Sequence, residues 1–335
     1  MLQSNAKAHA NRLRAAIIGC GQIAGGYDEE NRQPNAIRTH AKAYSIHPGT
    51  KLIAVADTNG ERAKKFAQRW MVPAAYTDAR LMLSEAKPDL VSICTPDENH
   101  AEWLEACLLH PVRAVWCEKP IVTDEKLGED LVARYEERGV PLAVNYLRRW
   151  DKALQRIGET VRADAGARVK AIVTYGKGLR HSGSHAIDLL LDWLGPVTRF
   201  KVLSCLTDYV ATDPTVTAWL EFANGAEVHL IGCDDRRYTL WEIDLFGPAW
   251  RFRITQTGLQ VESYALRADF IDSGSKELDA VPAVCTTDLS RAVYSALENI
   301  VARVREGQAL RSTGRTALEA LKVCNNIIRE AQRRS

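Results

Sequence analysis

The strongest constraint on this chain is a run of six residues, Gly19-Cys20-Gly21-Gln22-Ile23-Ala24, directly behind the apolar stretch Arg14 to Gly19. The run fits G-x-G-x-x-G/A, and a strand feeding such a turn is the usual entry to a dinucleotide-binding βαβ unit. Gly19 permits the tight turn. Gly21 lets the backbone approach a pyrophosphate, and Ala24 allows close helix packing. With Gln22 and Ile23 these residues head an expected helix whose N-terminal amides face the phosphates. A plain glycine-rich turn is the alternative, and the preceding strand disfavours it. Gly25 and Gly26 are unusual because they weaken a helix just begun. Tyr27 to Arg38 therefore reads as an inserted loop, with a helix resuming around Thr39 to Ser45.

That insertion displaces the next marker. An acid ending the second strand is expected about 20 residues past the glycines; here it is Asp57, distinctly later, in the strand-end context Ala54-Val55-Ala56-Asp57. A carboxylate there accepts hydrogen bonds from the adenosine ribose and repels a 2′-phosphate, so Asp57 favours NAD over NADP. Its alternative role is to cap the helix that starts near Gly60. Arg62, close by, keeps NADP open as the lesser choice.

Short apolar runs alternate with helical patterns through the first half. Arg14 to Gly19, Lys51 to Asp57, Leu90 to Thr95, Ala114 to Glu118 and Val140 to Asn145 are expected strands, with helices such as Glu61 to Arg69 and His100 to Leu109 between them. This rhythm implies a doubly wound parallel sheet, an α/β Rossmann domain over residues 12–146. After a helix at Trp150 to Ala165 the period changes to two. Val169, Ala171, Val173 and Tyr175 alternate with polar residues, as do Val216 to Phe222 before the hairpin signal Asn224-Gly225. Trp241, Ile243 and Leu245, and then Trp250, Phe252 and Ile254 beyond the turn Gly247-Pro248, repeat the pattern. Residues 147–335 are thus expected to form an α+β domain with a large, open, mainly antiparallel sheet. Two helices close the chain, the first running through Ala292 to Val304 and stopping at Gly307. A chain of 335 residues suits two such domains.

Bulk properties exclude several classes. The 44 basic and 42 acidic residues nearly balance, which gives no general attraction to nucleic acid or an anionic membrane. Met1 to Asn11 is polar without a signal-peptide core, and no apolar run approaches the roughly 20 residues of a membrane span. Eight cysteines occur without a CxxC pair, and Cys94 and Cys117 fall inside apolar strands as small hydrophobes. A cytoplasmic location is expected.

Two further segments, Thr95-Pro96 with His100 and Glu118-Lys119-Pro120, stand at strand ends, and Gly183-Ser184-His185-Ala186-Ile187-Asp188 follows in the second half. Together with the glycine turn they resemble the glucose–fructose oxidoreductase/inositol dehydrogenase (Gfo/Idh/MocA) family over nearly the whole chain. The resemblance implies hydride transfer between a nicotinamide and a sugar-like substrate, with Thr95, Pro96, His100, Glu118 and Lys119 near the cofactor. It implies that Lys119 hydrogen-bonds the reacting oxygen and that His185 is the general acid/base. Ser184 is expected to cap the helix carrying His185, and Asp188, three residues on, to fix the imidazole. A homodimer or homotetramer is implied through the open face of the late sheet. Where family dehydrogenases often have an aspartate, this chain has His181, which puts any polyol contact of that acid in doubt. Gly183 between His181 and His185 argues against i,i+4 metal ligands, and no metal is expected. Lys177, Arg180, Arg148 and Arg149 are candidates to face the cleft; so many cations suit an anionic substrate such as a nucleotide sugar. An NAD-using lyase or hydrolase of the same family and a non-catalytic dinucleotide sensor are the rival functions.

Overall fold

The computed structural model describes residues 12–30, 33–164, 166, 168–267 and 276–334; the polar segment Met1 to Asn11 lies outside them. The chain divides into two compact units, one holding residues up to Trp150 together with Ser290–Leu318, the other Asp151–Leu289 and the residues from Glu319 on. The helix through Ala292 to Val304, grouped with the second domain on sequence, thus belongs to the first unit.

The first unit is built on β1 (Leu13–Ile18), β2 (Thr50–Ala56), β3 (Ala74–Tyr76), β4 (Leu90–Ile93), β5 (Ala114–Cys117) and β6 (Leu142–Val144). All pairings are parallel, in the order β3-β2-β1-β4-β5-β6. The central strands are buried on both faces, as their continuous apolar composition requires. Helices α1 (His40–Ile46), α2 (Gly60–Trp70), α3 (Ala79–Ala86), α4 (His100–Leu108) and α5 (Glu125–Glu137) connect them. Strand β3 carries no strong sequence signal because it is three residues long and only half-buried.

No α-helix forms directly after the glycine turn, contrary to expectation. One turn forms, with the amides of Gly25 and Gly26 on the Gly21 carbonyl at 3.2 and 3.3 Å, and then the inserted loop leaves. The helix resumes across the insertion: the His40 and Ala41 amides donate to the Ile23 and Ala24 carbonyls at 3.3 and 2.8 Å. Asp28, 4% exposed, closes the loop by accepting from the Arg38 amide at 2.9 Å and from Thr39 Oγ1 at 2.8 Å. Thr39 in turn caps α1 through the Lys42 amide.

The second unit contains an eight-stranded sheet in the order β14-β13-β12-β11-β7-β10-β9-β8. Its strands are β7 (Lys170–Tyr175), β8 (Val197–Val210), β9 (Asp213–Phe222), β10 (Glu227–Gly232), β11 (Trp241–Phe246), β12 (Trp250–Thr255), β13 (Gln260–Ala265) and β14 (Ala283–Thr286). Among the described strands of this sheet, only β7 and β10 pair in parallel. Val169, Ala171, Val173 and Tyr175 are buried, as are Val216, Ala218, Leu220 and Phe222, so one face of the sheet is core. The other face carries Lys170, Ile172, Ile231, Asp244, Arg251 and Arg253, of which Lys170, Ile172 and Ile231 are exposed. Helices α6 (Lys152–Ala163) and α7 (Ser184–Leu194) pack together. Beyond them come α8 (Ala292–Glu306) and α9 (Gly314–Arg334). No described helix is long and apolar enough to cross a membrane.

Candidate functional site

The carboxyl ends of β1, β2 and β4 open onto a cavity of ≈ 800 Å³ whose walls include Gly19, Gly21, Asp57, Thr95 and Pro96, with Arg62 at its side. Gly19 has φ +91°, and a Cβ there would lie 2.7 Å from the Cys94 carbonyl oxygen, so the turn and the packing on β4 both demand glycine. A Cβ at Gly21 would meet nothing within 4 Å. The missing side chain leaves space on the cavity side, where a pyrophosphate would approach the backbone. Gln22 and Ile23 continue the single turn, and Ala24 is fully buried beneath it. The turn's leading amides have no partners within the turn and suit an anion.

Asp57 does more than end β2. One oxygen accepts the Cys20 amide at 2.9 Å and the other the Asn59 amide at 2.8 Å, so the carboxylate braces the glycine turn. The cap of α2 is Asn59, which accepts the Arg62 amide at 3.0 Å. Arg62 Nε stands 3.7 Å from Asp57. Burial pushes the Cys20 thiol up to about 12, with the Asp57 charge adding to it, so Cys20 stays a neutral thiol. Burial likewise raises Cys94 and Cys117 well above the ordinary thiol value.

His100 is 1% exposed, and its two ring nitrogens lie 2.7 Å from the Pro120 carbonyl and 3.0 Å from the Thr95 carbonyl. It ties two strand-end loops together. It is therefore a brace behind the cavity rather than the cofactor contact expected from sequence. Glu118 and Lys119 follow β5, each partly exposed, and the Lys119-Pro120 peptide is cis. Arg149 also departs from expectation: it is 6% exposed and turned toward the Arg311 carbonyl, 3.4 Å away. The one-turn helix Leu147–Trp150, anchored by Trp150 Nε1 on Asn299 Oδ1 at 3.0 Å, aims it inward. Arg148 is half-buried, and desolvation lowers its guanidinium to about 10, still charged at neutral pH.

In the second unit the loop from Lys177 to Gly183 ends in a π-helical turn, Leu179–Gly183, that runs straight into α7. Gly183 is itself helical (φ −59°), so the widened turn, not a break at glycine, removes the regular i,i+4 spacing of His181 and His185. Ser184 does not cap the helix; its hydroxyl donates to the Arg180 carbonyl at 2.6 Å. The amides at the start of the preceding π-helical turn are held instead by a residue that sequence reading missed. Asp213, at the start of β9, accepts the Arg180 amide at 2.7 Å and the His181 amide at 2.9 Å. Gly178 (φ +79°) lets this happen, since a Cβ there would sit 2.3 Å from Asp213 Oδ2. Asp208 accepts the Lys177 amide at 2.8 Å, the Asp235 amide at 3.1 Å and Thr215 Oγ1 at 2.7 Å. Burial alone would raise the Asp208 carboxyl, but these hydrogen bonds outweigh it and hold it below its ordinary value.

The candidate substrate cations separate here. Arg180 is tied into its own unit, Nε to Asn325 Oδ1 at 2.6 Å and Nη1 to the Thr212 carbonyl at 2.9 Å, which removes it from the set of loose loop charges. Lys177 Nζ lies 5.8 Å from the Tyr209 ring centre and His181 stacks on the same ring at 4.7 Å. His185 stands half-buried in the first turn of α7, while Asp188 is 1% exposed, a setting for bracing rather than for touching substrate.

A parallel sheet in this order, with a glycine turn, a strand-end acid and a cavity at the carboxyl edge, defines a nucleotide-binding Rossmann domain, carried in one chain with an α+β unit. Residues 13–146 match the GFO_IDH_MocA model, described as an oxidoreductase family with an NAD-binding Rossmann fold. The Rossmann domain, residues 13–146, thus resembles the Gfo/Idh/MocA family. D-apiose dehydrogenase of Paraburkholderia graminis is 30% identical over 154 residues, 46% of this chain and 37% of that protein. D-glucoside 3-dehydrogenase of Escherichia coli is 29% identical over 51% of this chain and 44% of its own length, so both alignments span less than half of those relatives. Inositol 2-dehydrogenase of Rhizobium meliloti is 25% identical over 95% of this chain and 96% of its own. Among solved structures, the WlbA dehydrogenase from Bordetella pertussis, in complex with NADH and UDP-GlcNAcA, shares the fold with TM-score 0.76 at 19% identity, over 97% of this chain and 98% of that one.

Proposed function

We propose that the chain is an NAD-dependent oxidoreductase that interconverts a secondary alcohol and a ketone on a sugar derivative. The observation that carries this reading is the convergence of Gly19, Gly21, Asp57, Thr95 and Pro96 on one cavity, with Lys119 at the same edge of the sheet, after β5. Bound nicotinamide accepts or supplies the hydride. Asp57 would hold the adenosine ribose, and the Gly21-Gln22-Ile23 backbone the pyrophosphate. Lys119 would hold the substrate oxygen, and His185 would take its proton during oxidation and return it during reduction. Arg62 beside Asp57 keeps NADP as the weaker alternative.

We infer further that the substrate is anionic, a nucleotide-linked sugar of surface-polysaccharide metabolism being the best fit. His181 stands where a polyol-binding acid would be needed, and Lys177 and Arg148 remain as cations after Arg149 and Arg180 are assigned to structure. The solved relative that holds UDP-GlcNAcA supports the same class. The protein would act in the cytoplasm as a homodimer or homotetramer, joined through the sheet face bearing Ile172 and Ile231. The test is a kinetic panel of matched free and nucleotide-linked sugars with NAD at fixed ionic strength, following NADH. Turnover confined to the anionic members supports the reading. Equal or better kcat/KM on the free sugars refutes the anionic class, and no net NADH with any member favours a lyase or hydrolase.

A further inference from the structure

The segment that presents Lys119 is held from behind by a buried chain of polar groups. His40 is fully buried, its ring against Trp116 with centres 3.8 Å apart. Its Nε2 lies 2.9 Å from Glu118 Oε1 and its Nδ1 2.9 Å from Ser92 Oγ, which is 2.8 Å from the Tyr44 hydroxyl. Asn145 Nδ2 donates to the same Glu118 oxygen at 2.5 Å. The hydrogens have one consistent placement with a neutral imidazole. The ionised carboxylate only accepts, so Nε2 carries the proton. Nδ1 then accepts from Ser92, and Ser92 accepts from Tyr44. The hydrogens of Tyr44, Ser92 and His40 along this line each find an acceptor, and the imidazole tautomer is fixed by its surroundings.

Two consequences follow for Glu118. Its Oε1 is engaged by His40 and Asn145, while Oε2 is the oxygen left for a ligand, on a side chain 13% exposed. Its position is also set, because its amide donates to the Ile93 carbonyl at 3.0 Å in continuation of the Ile93↔Cys117 pairing. Continuing that register puts Glu118 level with Cys94 and Lys119 level with Thr95, both on the wall of the nucleotide cavity. This is the edge at which the nicotinamide half of a dinucleotide would lie once its adenosine is at Asp57. His40 itself is the first residue of α1, and the residue before it is the one anchored by Asp28. The inserted loop therefore ends on the residue that aims Glu118.

We infer that His40 is a positioning residue for the nicotinamide half of the cofactor, acting through Glu118: it holds Oε1 so that Oε2 faces the nicotinamide ribose or carboxamide. This rests on the cofactor placement proposed above and deepens it. The experiment is calorimetry on the full chain with NADH and with ADP-ribose, which lacks the nicotinamide. Wild type should bind both. His40→Ala should weaken NADH by at least about tenfold, the scale of a hydrogen bond to a charged group, and leave ADP-ribose within about twofold. His40→Gln, whose amide nitrogen reaches the position of Nε2, should restore most of the NADH affinity. Glu118→Ala should show the same split between ligands, and adding His40→Ala to it should cost no further affinity. ADP-ribose binding reports that each variant is folded. Equal weakening of both ligands makes His40 a structural residue of the domain and overturns the inference, as does an unchanged NADH affinity in His40→Ala or a failed rescue by His40→Gln. Wild type binding ADP-ribose but not NADH overturns it as well, while wild type binding neither overturns the cofactor placement on which it stands.

Discussion

Replacing Asp57 by alanine should separate two functions that one carboxylate performs. The side chain accepts the Cys20 and Asn59 amides at 2.9 and 2.8 Å and is 8% exposed. Hydrogen bonds to a charged group contribute about 1.5–3 kcal/mol each. Cys20 lines the open cavity and Asn59 is exposed, so water can follow to both amides, the low end applies, and we expect a total loss of about 3 kcal/mol. For a unit of this size that lowers the melting temperature by about 6–12 °C. The ribose contact adds a second effect, a fall in NAD affinity of about ten- to hundredfold. The same substitution frees Arg62, now 3.7 Å from the carboxylate, to meet a 2′-phosphate. NADP binding should therefore hold or improve while NAD binding falls. Calorimetry with both dinucleotides and a thermal melt of the free protein measure the two effects separately. Asp57→Ala that melts lower but binds NAD as tightly as wild type would show that the carboxylate braces the turn and never reaches the ribose. Wild type that prefers NADP would sink the assignment altogether.

Lys119→Ala and His185→Ala should each lose roughly 10²–10⁴ in turnover while still binding NAD, as removal of a proton-handling group does; wild-type turnover in either refutes that residue's role. The depressed Asp208 carboxyl stabilises the fold above its unfolded pKa of about 3.9 and loses that contribution as pH falls through its lower folded value. The melting gap between wild type and Asp208→Asn should accordingly be widest near neutral pH and close as the pH falls through the lowered folded value, and a gap that widens in acid contradicts the sign. Ile231→Asp, placing a charge on the open sheet face, should shift sedimentation toward the monomer without changing NAD affinity, whereas an unchanged sedimentation profile removes this face as the interface.

Sequence reading recovered what is local or periodic. The period-two residues of β7, β9 and β11 are all buried, and the five long runs of the first half all became strands, because burial on one or two faces writes itself directly into composition. What stayed hidden is pairing between distant polar residues. Asp213 caps a turn 32 residues before it in the chain, and His40 meets Glu118 across 78 positions. Neither acid nor imidazole carries a mark of its partner, since any exposed loop has the same residue types. The same blindness explains the arginines. Arg149 and Arg180 read as candidate cations of the substrate cleft, and only the positions of Arg311, Thr212 and Asn325 show that their donors are already engaged.

The insertion shows the limit from the other side. Spacing correctly implied that residues had been added between the glycine turn and Asp57, yet it could not say where they returned. An insertion that cut the helix freely would leave carbonyls at Ile23 and Ala24 without partners, at a cost of about 1–3 kcal/mol for each that stayed buried. The chain avoids that by re-entering in register, so that His40 and Ala41 donate where the next helical turn would have done. Gly25 and Gly26 make the exit. A Cβ at Gly25 would strike Phe66 and Trp70 at 2.5 Å, so the loop can leave only by passing close over α2. Thr39 and Asp28 make the return by capping the resumed helix. Helix continuity, loop closure and the aim of His40 are thus one arrangement: moving the return point by a single residue would rotate His40 by about 100° around the helix and take its ring off both Ser92 and Glu118.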